Sequence, residues 1–255
     1  MPNSGVVPAP KSGQPDSLIW LSLFGIWVAI QVLVLAIGAT PLLDGGLIGT
    51  DGYMRLVRVE LLHETGAWFD GRIPRSNAPF GDTLHWTRPF DLLLLAAAWP
   101  LTPFLGIEKA LFWGGSFVSP LLLLATGTAM IWASKPLVDR ENRPFVILIF
   151  LAQLGVMAYS LPGRIDHHTL QMFLIALTVG LVTRCCGVRP EVRLALLAGV
   201  VLSLGLWVSA EFLLVTFFAM AAVWLAWLRH GRAGSQAALG FAVGFAVSLV
   251  LVLLV

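Results

Sequence analysis

The sequence predicts an all-α, multi-pass membrane protein with about seven transmembrane helices, and three observations carry that prediction. Hydrophobic residues make up 58% of the chain and charged residues 12%, where a soluble domain carries about a quarter charged residues. Mean hydropathy is +0.86. The apolar residues fall in runs long enough to cross a hydrocarbon core of about 30 Å, and the basic residues gather in short clusters between those runs. A net charge of +2 distributed this way, with no basic stripe, argues against a nucleic-acid partner. Cys185 and Cys186 are adjacent and lack zinc-site spacing, so they indicate no redox compartment.

Residues 1–16 are rich in Pro, Gly and Ser and are expected to be a disordered cytoplasmic N-terminus; residues 17–255 form the membrane domain. The run Ser17 to Pro41 is too long for a signal-peptide core and reads as the first transmembrane helix. A long external loop over residues 42–110 follows. Within it, Asp51 to Leu62 has apolar residues at helical spacing, which predicts an amphipathic helix on the membrane surface, closed by Gly66. Asp51 sits in its first turn, where a carboxylate is favoured. Ile73 to Asp82 carries two prolines and a glycine and reads as loop. His85 to Asp91 leads into Leu92 to Leu105, a short run broken by Pro100 and Pro103 and expected to be interfacial or re-entrant.

Leu111 to Trp132 is the next crossing, and the connection after it, with Lys135, Arg140 and Arg143, is cytoplasmic by its basic charge. Phe145 to Ser160 is expected to return outward and Leu170 to Val182 inward, with Arg184, Arg189 and Arg193 marking a second inner loop. Leu194 to Leu228 is too long for one crossing and must fold as a hairpin, turning near Trp207 to Glu211. Arg229 and Arg232 fall inside again, and Ala237 to Val255 heads outward.

Between two of these runs lies Leu161-Pro162-Gly163-Arg164-Ile165-Asp166-His167-His168-Thr169. Ionisable groups at the edge of a membrane segment must find water, a partner or an ion. Carboxylate oxygens beside an imidazole suit Mg²⁺ or, better, Mn²⁺. In a regular helix Asp166 and His168 would diverge by about 200°, so Pro162 and Gly163 matter by keeping the backbone non-helical. The predicted topology places Asp51, Asp166, His168 and Glu211 on one face. No glycine-rich phosphate loop precedes a helix, so a donor is expected to be a lipid-linked phosphate rather than a soluble nucleotide.

The order of Thr50-Asp51-Gly52-Tyr53, then His85-Trp86-Thr87-Arg88-Pro89-Phe90-Asp91, then Gly163-Arg164-Ile165-Asp166-His167-His168 resembles the membrane part of oligosaccharyltransferase catalytic subunits. These belong to the GT-C superfamily, and the archaeal-type Asp-His-His second motif is the nearest in appearance. The resemblance covers about Ser17 to Arg229. It implies a GT-C-like helical bundle using a polyprenyl-phosphate or polyprenyl-diphosphate sugar donor, an acceptor that it does not identify, and a divalent metal, Mn²⁺ or Mg²⁺. It implies Asp51, Asp166 and His168 as metal ligands, Asp51 and Asp166 as catalytic, and His167 as a non-ligand. Glu211 and Arg88 are accessory candidates, Arg88 as a loop-folding residue that could also contact phosphate. The family's later external carboxylate and its Trp-Trp-Asp motif have no counterpart before Val255, which points to a fragment or to a relative with a different acceptor.

The expected setting is a bacterial inner membrane with the site facing the periplasm. The rival from another class is a transporter or proton-coupled permease with Asp166, His167 and Glu211 as relay groups, which predicts paired broken repeats. A third reading is a non-catalytic fragment that binds a lipid carrier or a partner subunit.

Overall fold

The first apolar run forms α1 (Asp16–Ala36) in a computed structural model that describes residues 16–187 and 190–254. The stretch 1–15, expected to be disordered, and Arg189 lie outside the described residues. Helix α2 (Thr50–Thr65) starts after Gly49 and ends at Gly66, whose left-handed backbone lets its N–H reach the Leu62 carbonyl. A two-residue hairpin, β1 (Arg72–Ile73) with β2 (Asp82–Thr83), sits where only loop was expected. Then come α3 (Pro89–Ala98), α4 (Thr102–Leu105), α5 (Ile107–Ser116) and α6 (Val118–Ser134). The chain continues through α7 (Arg143–Leu151), α8 (Leu154–Tyr159), α9 (His168–Cys185), α10 (Val192–Val208), α11 (Phe212–His230) and α12 (Arg232–Leu253).

The all-α membrane class expected from composition is what the fold shows. Five helical segments among the described residues are long and apolar enough to cross a membrane: Ser17–Ala36, Ile107–Ser134, His168–Cys185, Phe212–His230 and Arg232–Leu253. Pro89–Leu105 and Val192–Val208 are shorter apolar helices. The hairpin expected in 194–228 is present as α10 and α11, turning at Ser209 to Glu211.

One expectation is corrected. Phe145 to Ser160 is not one helix: Gln153 adopts an extended conformation and splits it into α7 and α8, so neither piece alone reaches the roughly 20 residues a crossing needs. The face of helix α2 buried in the protein is not purely apolar: it holds Arg55 and Arg58 together with Gly52, Val59 and Leu62.

Cross-chain contacts fix the helix directions. Near the start of α6, Ser119 bonds the Arg164 carbonyl just before α9, while at the other end Arg184 of α9 bonds the Trp132 carbonyl of α6. Helices α6 and α9 therefore run parallel, and 135–167 carries the chain back along the whole of α6. Glu211 approaches His168, and His230 approaches the Cys186 carbonyl, so α11 parallels α9 as well. One end of the bundle thus gathers Thr40, Arg164, Asp166, His168 and Glu211; the other gathers Lys135, Arg184 and His230.

Helices α10 and α12 touch backbone to backbone. A Cβ added to Gly199 would stand 2.3 Å from the Phe241 carbonyl oxygen, and one on Gly244 would stand 2.2 Å from that of Leu196. Small residues of this kind let membrane helices approach closely. Gly244→Leu is expected to wedge the pair apart and lower stability by about 3 kcal/mol or more, read as a fall in the thermal midpoint in detergent. Gly25→Ala on α1, where nothing lies within 4 Å, should leave that midpoint unchanged.

Candidate metal centre

Pro162 and Gly163 end α8 and turn the chain toward the N-terminal loop. Gly163 has a left-handed φ of 81° that a side chain would strain, and its backbone is held on both sides. Its N–H donates to the Ser116 carbonyl at 3.0 Å, and its carbonyl accepts from Ile48 N at 2.9 Å. The Thr40 hydroxyl donates to the Pro162 carbonyl at 2.8 Å, and the Ser119 hydroxyl to that of Arg164 at 2.5 Å. Ile165 is buried in the core against Gly52 and Gly115. This anchoring sets Asp166 at the mouth of α9, ahead of the first helical turn, as the non-helical backbone requires.

Asp166 is 7% exposed, so it is not a solvated loop acid. Its Oδ1 accepts from His168 N at 3.1 Å and from His168 Nδ1 at 2.5 Å, and its Oδ2 lies 3.5 Å from Arg164 Nη2. Burial alone would raise the Asp166 carboxyl. The two imidazoles beside it and the backbone N–H of His168 more than offset that and hold it well below the usual carboxylate range. It is therefore an anion at neutral pH.

The ligating atoms of Asp166, His167 and His168 all lie within 4.8 Å of one another, so the three side chains could hold a metal ion. Their donor set suits one. His168 Nδ1 donates to Asp166 Oδ1, and its Nε2 lies 3.9 Å from Glu211 Oε2. His167 Nδ1 lies 3.2 Å from Arg55 Nη2 and 3.3 Å from Asp166 Oδ1. A carboxylate flanked by two imidazoles is a set of ligands that suits a divalent cation.

The residues expected at the site are distributed unevenly around it. Asp51 and Asp166 line one small cavity of about 140 Å³ with Arg164, but Asp51 is exposed and stands outside the three-residue group. Glu211 is close, its Oε2 held at 3.2 Å by Gln171 Nε2. His167, a non-ligand by resemblance, belongs to the converging set. Arg88 does not reach it. Its guanidinium bonds the carbonyls of Trp68, Ala67 and Asp70 at 2.7 to 3.2 Å, together with Asp91 Oδ2 at 3.2 Å, and so folds the segment between α2 and α3.

A second cluster went unread in the sequence. Asp91, fully buried at the start of α3, meets Arg55 at 3.4 Å, Arg58 at 3.3 Å and Arg88 at 3.2 Å. Arg55 also stacks on Trp86, with 4.3 Å to the ring centre, and through His167 it joins this cluster to the metal-capable one. The available signal was Arg55 and Arg58 at i and i+3, which share a helical face, together with an aspartate heading an apolar run. No protein-family model matches the chain, and no curated protein matches it.

Proposed function

We propose that the chain is a GT-C-type, oligosaccharyltransferase-like glycosyltransferase that takes a sugar from a polyprenyl-phosphate or polyprenyl-diphosphate carrier at the periplasmic face of a bacterial inner membrane. The observation that carries the proposal is the convergence of Asp166, His167 and His168, with Glu211 and Asp51 beside them, at the bundle end opposite the basic loops. In this arrangement the chain crosses seven times, the broken pair α7–α8 and the shorter α10 adding to the five long segments. A cavity of about 470 Å³ beside α2 and α5, walled by Tyr53, Leu56, Val57, Phe112 and Trp113 together with Glu60, Arg75, Glu108 and Lys109, offers apolar wall for the first isoprene units and charged groups beside it.

Asp166 and His168, with His167 and Asp51, would hold Mn²⁺ or Mg²⁺, which when bound neutralises charge on a departing phosphate. The chain's own residues do the rest. Arg164 stands beside Asp166 in the same cavity and orients an anionic headgroup there. Asp51, exposed across that cavity, is placed to receive the acceptor's proton. The acceptor lone pair forms the new bond at the anomeric carbon, and the bond from that carbon to phosphate oxygen breaks with its electron pair leaving on phosphate.

Membranes containing the protein are expected to consume a radiolabelled polyprenyl-phosphate sugar, releasing free sugar when water is the only acceptor. EDTA should stop this and Mn²⁺ restore it, while Asp51→Asn should slow turnover about 100-fold. Turnover indifferent to chelation, or undiminished in Asp51→Asn, would overturn the assignment.

A further inference from the structure

We propose a second, separate anion site on the external loop, formed by Arg58 and Arg72 and suited to a phosphate-class oxyanion. It starts from Arg58, which is 4% exposed and whose Nε and Nη1 have no hydrogen-bond partner among the described residues. Buried guanidinium N–H groups left unpaired are costly, because desolvation removes water and nothing replaces it.

The local charge is equally unbalanced. Three guanidiniums, those of Arg55, Arg58 and Arg88, surround the single carboxylate of Asp91. Arg88 has four oxygen partners, and Arg55 is shared with the Asp166 cluster. Arg58 has only Asp91 Oδ2, the same oxygen that Arg88 uses. Burial and the two neighbouring guanidiniums push the Arg58 side chain down to about 10, and Asp91 only partly opposes this. Arg58 is thus the member of the cluster whose one counter-charge is shared and whose Nε and Nη1 are unpaired among the described residues.

A cavity lies beside it. Arg58, Thr65, Ala67, Asp70, Arg72 and Pro74 line a space of about 170 Å³ between the C-terminal half of α2 and the β1–β2 hairpin. Arg72 is exposed there and fixed at one end by a 2.8 Å bond from Nη2 to the Phe80 carbonyl. Gly81 allows that placement, since a Cβ at this position would stand 2.9 Å from Arg72 Nε. Asp70 also lines the cavity, with its Oδ1 accepting from the backbone Arg72 N at 2.8 Å.

Two arginines lining one small cavity suit the tetrahedral oxygens of phosphate, which accept from Arg forks in paired hydrogen bonds. Helical rise puts Arg58 about 10 Å along α2 from Asp51, so this site is distinct from the Asp166 cluster. It stands whether or not that cluster holds a metal. The phosphate can be a free ion or a lipid headgroup.

The test uses full-length protein in detergent and in nanodiscs, with thermal midpoints measured at constant ionic strength. Inorganic phosphate is expected to raise the midpoint saturably in detergent, with chloride inactive, because a ligand that binds only the folded state stabilises it. A free-ion source gives that shift, whereas a lipid source gives it only in nanodiscs doped with phosphatidate over phosphatidylcholine alone. Arg72→Gln, an exposed change that leaves the core intact, should weaken the half-saturating concentration about tenfold. Arg58→Gln should abolish the shift and Arg58→Lys recover part of it. Asp51→Asn and Asp166→Asn should retain it, which separates this outcome from failure of the transferase assignment. Absence of a shift from both sources, or a shift unaltered in Arg72→Gln, would overturn the site.

Discussion

Asp91→Asn is expected to be the most damaging single substitution in the segment from α2 to the start of α3, lowering stability by about 3 to 5 kcal/mol or preventing accumulation of folded protein. Asp91 is fully buried and is the only carboxylate within ion-pair distance of Arg58 and Arg88 among the described residues. Removing its charge leaves three guanidiniums facing one another in a desolvated space, where mutual repulsion is weakly screened. The loss should appear as a lower thermal midpoint in detergent and as faster proteolysis between α2 and α3. Pairing Asp91→Asn with Arg58→Met should recover part of it, because one uncompensated charge is removed with it. A variant as stable as the parent would mean that the arginines are neutralised from elsewhere.

Asp166→Asn is expected to weaken Mn²⁺ binding at least about 100-fold, measured by the loss of free-ion signal in an electron paramagnetic resonance titration. The asparagine oxygen can still accept from His168 N, now 3.1 Å from Asp166 Oδ1, so the start of α9 should hold and the circular dichroism spectrum should not change. Retention of fold with loss of metal separates ligation from helix capping, the two roles its geometry permits. Equal Mn²⁺ binding in parent and variant would leave Asp166 as a cap alone.

The polar break before α9 was legible because its chemistry is unusual for its place. An aspartate and two histidines between apolar runs have few structural uses, and a preceding Pro-Gly keeps the chain from continuing as a helix. The role of Glu211 was half legible: its position at a hairpin turn followed from length, but its approach to His168 needed the parallel packing of α9 and α11. Arg88 read as a loop-folding residue that could also contact phosphate. Three of its four partners are backbone carbonyls, which no sequence pattern announces.

By itself the sequence determined the membrane class, the helical hairpin of 194–228, the helical stretch after Asp51 and the metal-capable chemistry of Asp166, His167 and His168, because hydropathy, length and residue type act locally. Only the tertiary structure decided the rest. The break at Gln153 splits a run that hydropathy alone reads as continuous. The face of α2 that turns inward is set by Asp91, 36 positions from Arg55, since a buried carboxylate draws guanidiniums that would otherwise face water. Arg55 then lies between Asp91 and His167, joining two clusters that are far apart in the chain. Charge pairing at such separations depends on which helices run parallel, and that is a property of packing.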